Sequence, residues 1–143
     1  MSDPSLRNEV LIVGAGPSGL MMAAQLLRWG IRPRIIEANP GPTLQTRALG
    51  VQARSMEIYR QMGLEPEVLA RGIPAKHATI FTERGQLGQL NMTDIGAGLS
   101  AYPYMFILPQ DQNERVLGDD LTQHGLEVEW NTPLETLQLQ AEG

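Results

Sequence analysis

Three glycines, Gly14, Gly16 and Gly19, stand in the spacing G-x-G-x-x-G, and a carboxylate, Glu37, follows 18 residues after the last of them. Residues of these types at these intervals can hold the two phosphates and one ribose of a dinucleotide. Gly14 permits a tight turn. Gly16 lets the backbone approach a pyrophosphate where a Cβ would collide, and Gly19 lets a helix pack closely on a strand. Pro17 and Ser18 open that helix. Its first amides lack internal partners and carry partial positive charge, which suits a phosphate pair. An acidic residue about 20 positions further on accepts hydrogen bonds from a ribose 2′-hydroxyl.

This chemistry needs a strand, a turn, a helix and a second strand in that order. Residues 9–13, Glu9 followed by Val-Leu-Ile-Val, read as a buried parallel strand. A helix is expected over 17–29, with Leu20, Ala23, Ala24 and Leu27 on one face and Gly30 as its stop. A second apolar strand over 33–37 ends on Glu37. An ordinary βαβ unit could use its glycines for packing alone and leave Glu37 a solvated strand end. It would have to produce all four features by coincidence, so a dinucleotide site is the reading adopted.

Composition narrows the classes. A chain of 143 residues can bury about 70% of its unfolded surface, enough for one real core. The net charge of −5, with no basic stripe, argues against nucleic acid as a partner. The absence of cysteine excludes disulfides, a thiol nucleophile and thiolate metal sites. Met1-Ser2-Asp3-Pro4 carries no signal-peptide pattern, and the apolar runs are broken by Gln25, Arg28 or Pro33, well short of a span of about 20 residues. A cytoplasmic protein without a membrane partner is expected. His77 and His124 have no companion at ligand spacing, so no metal site is expected.

Beyond Glu37 comes a long loop over 38–50, and loops of that length are usually functional or disordered. Its Arg47 is a candidate bidentate donor to a pyrophosphate, or else a solvated loop charge. Arg28, near the end of the first helix, suits the dipole there and reads equally well as a solvated charge. An amphipathic helix follows over 51–62, with Val51, Ser55, Ile58 and Met62 at helical spacing, Met56 and Tyr59 beside them, and Gly63 as its stop. A short helix is expected over 66–71, then a hairpin with strands at 78–82 and 87–92. A buried strand over 104–108 precedes a helix starting at Asp111, with Glu114 completing a capping box, and ending near His124. Strands are expected over 126–130 and 134–140.

Several of these segments together resemble the FAD-dependent aromatic hydroxylases, the flavoprotein monooxygenases of the p-hydroxybenzoate hydroxylase type. The carrying residues are Gly14-Ala15-Gly16-Pro17-Ser18-Gly19-Leu20, Glu37, Arg47-Ala48-Leu49-Gly50-Val51 leading into Ser55-Met56-Glu57, Gly63-Leu64, and Leu108-Pro109-Gln110 followed by Glu114. The resemblance implies an α/β fold: a Rossmann-like FAD-binding βαβ sheet carrying the start of a β-hairpin and substrate-domain insertion. It would place the N-terminal portion of an FAD-binding domain over 1–143, with a hairpin excursion at about 73–103. It implies that Gly14, Gly16 and Gly19, with Pro17 and Ser18, cradle the FAD pyrophosphate. Glu37 would hold the adenosine ribose, Arg47 would contact the phosphate and ribityl side, and Gln110 would hydrogen-bond the flavin nucleotide.

The implied reaction hydroxylates an activated, usually phenolic ring with O2, after NAD(P)H has reduced the flavin. The flavin carries the reactive chemistry, so no residue here is assigned as catalytic. The family often has a basic residue after the ribose carboxylate, where this chain has Ala38. It also has an Asp-Gly and a later Gly-Asp motif, neither of which occurs here in the family's position. The chain is therefore expected to be a truncated portion of a monooxygenase, or half of a split one, and inactive alone. Two further readings stand beside this one. One is a nucleotide-binding or assembly module that forms a homo-oligomer or pairs with a separate C-terminal half. The other is a nicotinamide-dependent dehydrogenase sharing Gly14 to Gly19 and Glu37.

Overall fold

The computed structural model describes residues 9–43 and 49–138. In chain order its elements are β1 (Leu11–Val13), α1 (Pro17–Arg28), β2 (Arg34–Ile36), β3 (Gly50–Val51), α2 (Ala53–Met62), α3 (Glu65–Arg71), β4 (Ile73–Pro74), β5 (His77–Thr82), β6 (Gly85–Asn91), β7 (Phe106–Ile107) and α4 (Gln110–Gln123). They fall into two compact units, one of residues 1–44 with 114–143 and one of residues 45–113.

The first unit is built on the βαβ motif. β1 and β2 run parallel in the register Leu11 to Arg34, Ile12 to Ile35 and Val13 to Ile36. Alternation along β1 sends Ile12 inward, where its side chain lies against Gly19 of α1. Leu11 and Val13 point the other way and are 43% and 54% exposed. The expectation of a strand buried on both faces is thus corrected. The helices cover one face, and no described element covers the other. Leu20, Ala23 and Ala24 form the buried stripe of α1, with Leu27 only half-buried. Gly30, at φ +75°, ends it by donating to Leu27 O at 3.0 Å. From α4, the side chains of Val116, Leu117 and Leu121 complete the core, joined by Leu126.

The strand expected over 126–130 contracts to a single parallel bridge, Ile36 to Glu129. Glu37 N donates to Glu129 O, and Glu129 N donates to Ile35 O, each at 3.0 Å. Arg34 clamps the same residue from the side chain, its Nε and Nη2 reaching the Glu129 carboxylate at 2.7 and 2.6 Å. No strand forms over 134–138; the rest of that expected strand lies outside the described residues. The helix α4 begins at Gln110 rather than Asp111. Asp111 then sits inside the first turn, where its charge suits the positive helix end, and the carboxylate of Glu114 accepts Thr43 N at 3.1 Å.

The second unit holds a three-stranded antiparallel sheet in the order β3-β7-β4, and a separate two-stranded sheet, β5-β6. The expected strand over 104–108 is real only at Phe106–Ile107, but it is central, pairing with β3 on one side and β4 on the other. Gly72 lies against it: an added Cβ would be 2.4 Å from Phe106 Cε1 and 2.5 Å from Ile107 O. On α2 the buried stripe is Met56, Tyr59 and Met62, while Ser55 and Ile58 are half-buried. The Tyr59 hydroxyl donates to Asn113 Oδ1, and burial pushes its pKa up to about 12. The β5-β6 hairpin follows the expected excursion but starts at His77, with a register shift between Ile80 and Phe81.

Candidate functional site

The glycine-rich loop leaves β1 at Gly14, whose φ of +103° only glycine adopts without strain. Its amide donates to Ile36 O at 2.8 Å, so the turn is tied to the end of β2. Gly19 has a different reason. A Cβ there would sit 2.0 Å from Gly14 O, so α1 can approach the loop only without a side chain at that position. Gly16 has neither reason. Its φ of −72° and ψ of 179° are ordinary extended backbone, and a Cβ there would meet nothing within 4 Å. Among the described residues nothing requires a glycine at this position, as is also true of Gly41, Gly88 and Gly118; Gly16 alone of these stands at the start of a helix.

The helix that follows is left open toward the same side. Gly16 is its N-cap, and Pro17 occupies its first turn. Among the described residues its first turn has neither a side-chain cap nor an acidic residue, and its positive end suits an anion. Ser18 in that turn is exposed.

Glu37 closes the arrangement. Its Oε2 accepts the Ala15 amide at 2.8 Å, and its Oε1 accepts the backbone and side-chain amides of Asn39 at 2.9 and 2.6 Å. These donors, Ala15 first and then Asn39, hold its carboxyl below the ordinary value despite partial desolvation. An ionised acceptor therefore sits against the glycine loop.

The family model described as an FAD binding domain matches residues 7–143. The chain belongs to the FAD-binding domain family. Among relatives of this family, it is 39% identical over 126 residues to the 6-methylpretetramide 4-monooxygenase of Streptomyces rimosus, covering 88% of this chain and 22% of that protein. It is 33% identical over 135 residues to the pentachlorophenol 4-monooxygenase of Sphingobium chlorophenolicum, covering 94% of this chain and 25% of that protein. The solved structure of the OxyS anhydrotetracycline hydroxylase from Streptomyces rimosus superposes with a TM-score of 0.79 at 29% identity, over 96% of this chain and 27% of that one. The p-nitrophenol 4-monooxygenase PnpA of Pseudomonas putida shares the fold, at a TM-score of 0.82 and 23% identity, over 93% of this chain and 34% of that one. The chain spans about a quarter of the length of the curated relatives it matches.

The site fits the family's cofactor on the chain's own terms: a glycine with no internal reason, an uncapped helix end and an ionised carboxylate lie on one loop system. Gly14, Gly16, Pro17, Ser18, Gly19 and Glu37 are brought together. Gln110 is the half-buried first residue of α4 and belongs to the second unit. Arg47 lies outside the described residues. Two contributors escaped the sequence reading: the Ala15 amide and Asn39. The visible signal for Asn39 was an Asn two residues past a carboxylate in a Pro- and Gly-containing turn, where such side chains often bond locally. Beside the loop lies a cavity of about 180 Å³, lined by Ala15, Pro42, Gly118, Thr122, Val128 and Trp130 among others.

Proposed function

We propose that this chain supplies the pyrophosphate and adenosine end of the FAD site of an aromatic-ring monooxygenase. The observation that carries it is Gly16 at the uncapped start of α1, a glycine that among the described residues neither backbone conformation nor packing requires. The open end of α1 would take the phosphates and the Glu37 carboxylate the ribose. The cavity beside Ala15 is smaller than the roughly 300–1,000 Å³ of a complete small-molecule pocket, so it suits one end of a long nucleotide. Arg47 and Gln110 are proposed as further contacts to the same cofactor. When bound, FAD supplies the oxygen-activating chemistry, with NAD(P)H as reductant. An aromatic, phenolic ring is the proposed substrate because one of the relatives named above is a pentachlorophenol 4-monooxygenase by its name. The 143 residues alone are proposed to carry no hydroxylation, and the cytoplasm, which supplies NAD(P)H, is the proposed location. Among the described residues no helix is long and apolar enough to cross a membrane.

The test is to mix the purified chain with FAD, desalt it and read the flavin absorbance that stays with the protein. Stoichiometric retention supports the reading. Loss of all flavin from folded chain, with NAD(P)H bound instead, would replace it with the nicotinamide alternative.

A second reading, an assembly module, draws on the exposed side chains of Leu11 and Val13 on β1. A sheet face left uncovered invites association. Sedimentation of the chain with and without FAD separates the two: a monodisperse monomer that binds FAD contradicts the assembly reading.

A further inference from the structure

Inside α4, Gly118 stands in helical backbone that any residue adopts, and a Cβ there would meet nothing within 4 Å. Glycine weakens a helix interior relative to alanine. Of the described glycines that have neither a positive φ nor a heavy atom within 4 Å of such a Cβ, it alone lies inside a helix. It lines the cavity of about 180 Å³ beside Ala15, and it adds no side chain to that wall.

Trp130 is the one aromatic among the described residues that line the same cavity, and it is half-buried. Its neighbours set its place. Glu37 N donates to Glu129 O and Asn131 N to Asn39 O, each at 3.0 Å, and Thr132 N donates to Glu37 O at 2.8 Å. Trp130 therefore belongs to a segment strapped to the residue that would carry the ribose. Ala15, whose amide bonds the Glu37 carboxylate, lines the cavity as well. The cavity begins where the ribose would be held. Its charged lining residues are Glu114, Asp119 and Glu127 against Arg115 alone. That balance repels a phosphate and suits a neutral ring bearing an amino donor.

We propose that Trp130 and Gly118 are specificity-determining residues of the nucleotide site: they make this cavity a slot for the adenine ring, which stacks on the Trp130 indole in the space that Gly118 leaves open. This rests on the FAD reading given above. A purine is flat on both faces, so an aromatic side chain and a wall without a side chain both admit it closely. A larger side chain at position 118 would stand in the slot. The helix keeps a glycine there, at a cost to its own stability, for the sake of the ring.

The test first uses the full chain carrying Trp29→Phe, which leaves Trp130 as its only tryptophan, and titrates it with ADP while reading indole emission. Saturable quenching is expected, because the base stacks on the reporter itself. Inorganic pyrophosphate, which offers the loop two phosphates without a base, should leave the emission unchanged. FAD affinity is then read by flavin fluorescence, with a thermal melt of each variant. Gly118→Leu should bind FAD about tenfold or more weakly and melt no lower than the unsubstituted chain, since leucine is the better helix former. Trp130→Leu should also lose about tenfold, one base–aromatic stack, and Trp130→Phe should recover to within about threefold. A merely structural Trp130 would lower the melting temperature and leave its emission indifferent to ADP. Emission unmoved by ADP, or FAD bound as tightly by Gly118→Leu as by the unsubstituted chain, would overturn the proposal while FAD binding itself stands. An unsubstituted chain that binds no FAD overturns the FAD reading, and this proposal with it.

Discussion

The Ala15 amide donates to Glu37 Oε2 at 2.8 Å, so the loop that opens α1 is tied to the residue that follows β2. The contact spans 22 positions in sequence and depends on the parallel pairing of β1 with β2. It also explains the depressed pKa of Glu37, because the amide partner favours the ionised form.

That depression has a definite sign in stability. Glu37's folded pKa lies below its unfolded value, so its contribution is fully present above the ordinary carboxylate pKa and fades as pH falls through the folded one. Glu37→Gln should therefore flatten the fall of melting temperature on acidification from about pH 5 downward. The partial exposure of the group keeps the effect small. A variant whose melting profile runs parallel to that of the unsubstituted chain would remove the Ala15 and Asn39 hydrogen bonds as the cause.

Gly19→Ala tests the packing role of the third glycine. The new methyl would lie 2.0 Å from Gly14 O, and a backbone oxygen at the root of β1 cannot move aside cheaply. The expected loss is about 1–3 kcal/mol or more, read from the urea midpoint. An unchanged midpoint would show that α1 can draw back from the loop.

Gly72→Ala makes the parallel test in the second unit. There the methyl would meet the ring of Phe106, which is fully buried, and the Ile107 carbonyl. Destabilisation of about 1–3 kcal/mol is expected, with near-ultraviolet circular dichroism weakened as the Phe106 ring shifts. A variant of full stability would show that β7 is looser than its central place between β3 and β4 suggests.

The sequence showed most clearly those features that local chemistry decides. β1, α1 and β2 were legible because an apolar run, a glycine spacing and a glycine stop each have one local cause, and Glu37 falls at the fingerprint's own interval. Elements decided by distant partners were not. Residues 126–130 alternate cleanly, yet only Glu129 pairs, because its place is set by Ile35, Ile36 and the Arg34 clamp. Residues 134–138 have the apolar spacing of a strand and no neighbour among the described residues to pair with. The Asp111 and Glu114 spacing fits a capping box, but Glu114 is drawn to Thr43, 71 positions away. Asn39 could be read as a turn residue and nothing more, since its partner Asn131 approaches only in the folded chain. The exposure of Leu11 and Val13 was hidden for the same reason: a hydrophobic strand does not state which of its faces has a cover.

The central claim is that Gly16 is a glycine for the sake of a bound pyrophosphate. It is tested most directly by titrating FAD into the unsubstituted chain and into Gly16→Ala, with a thermal melt of each. The methyl meets nothing within 4 Å and the backbone is extended, so the melting temperature should stay within about 2 °C. FAD affinity should fall by about tenfold or more, because the methyl stands where the phosphates must approach. A variant that melts unchanged and binds FAD as tightly as the unsubstituted chain would contradict the account.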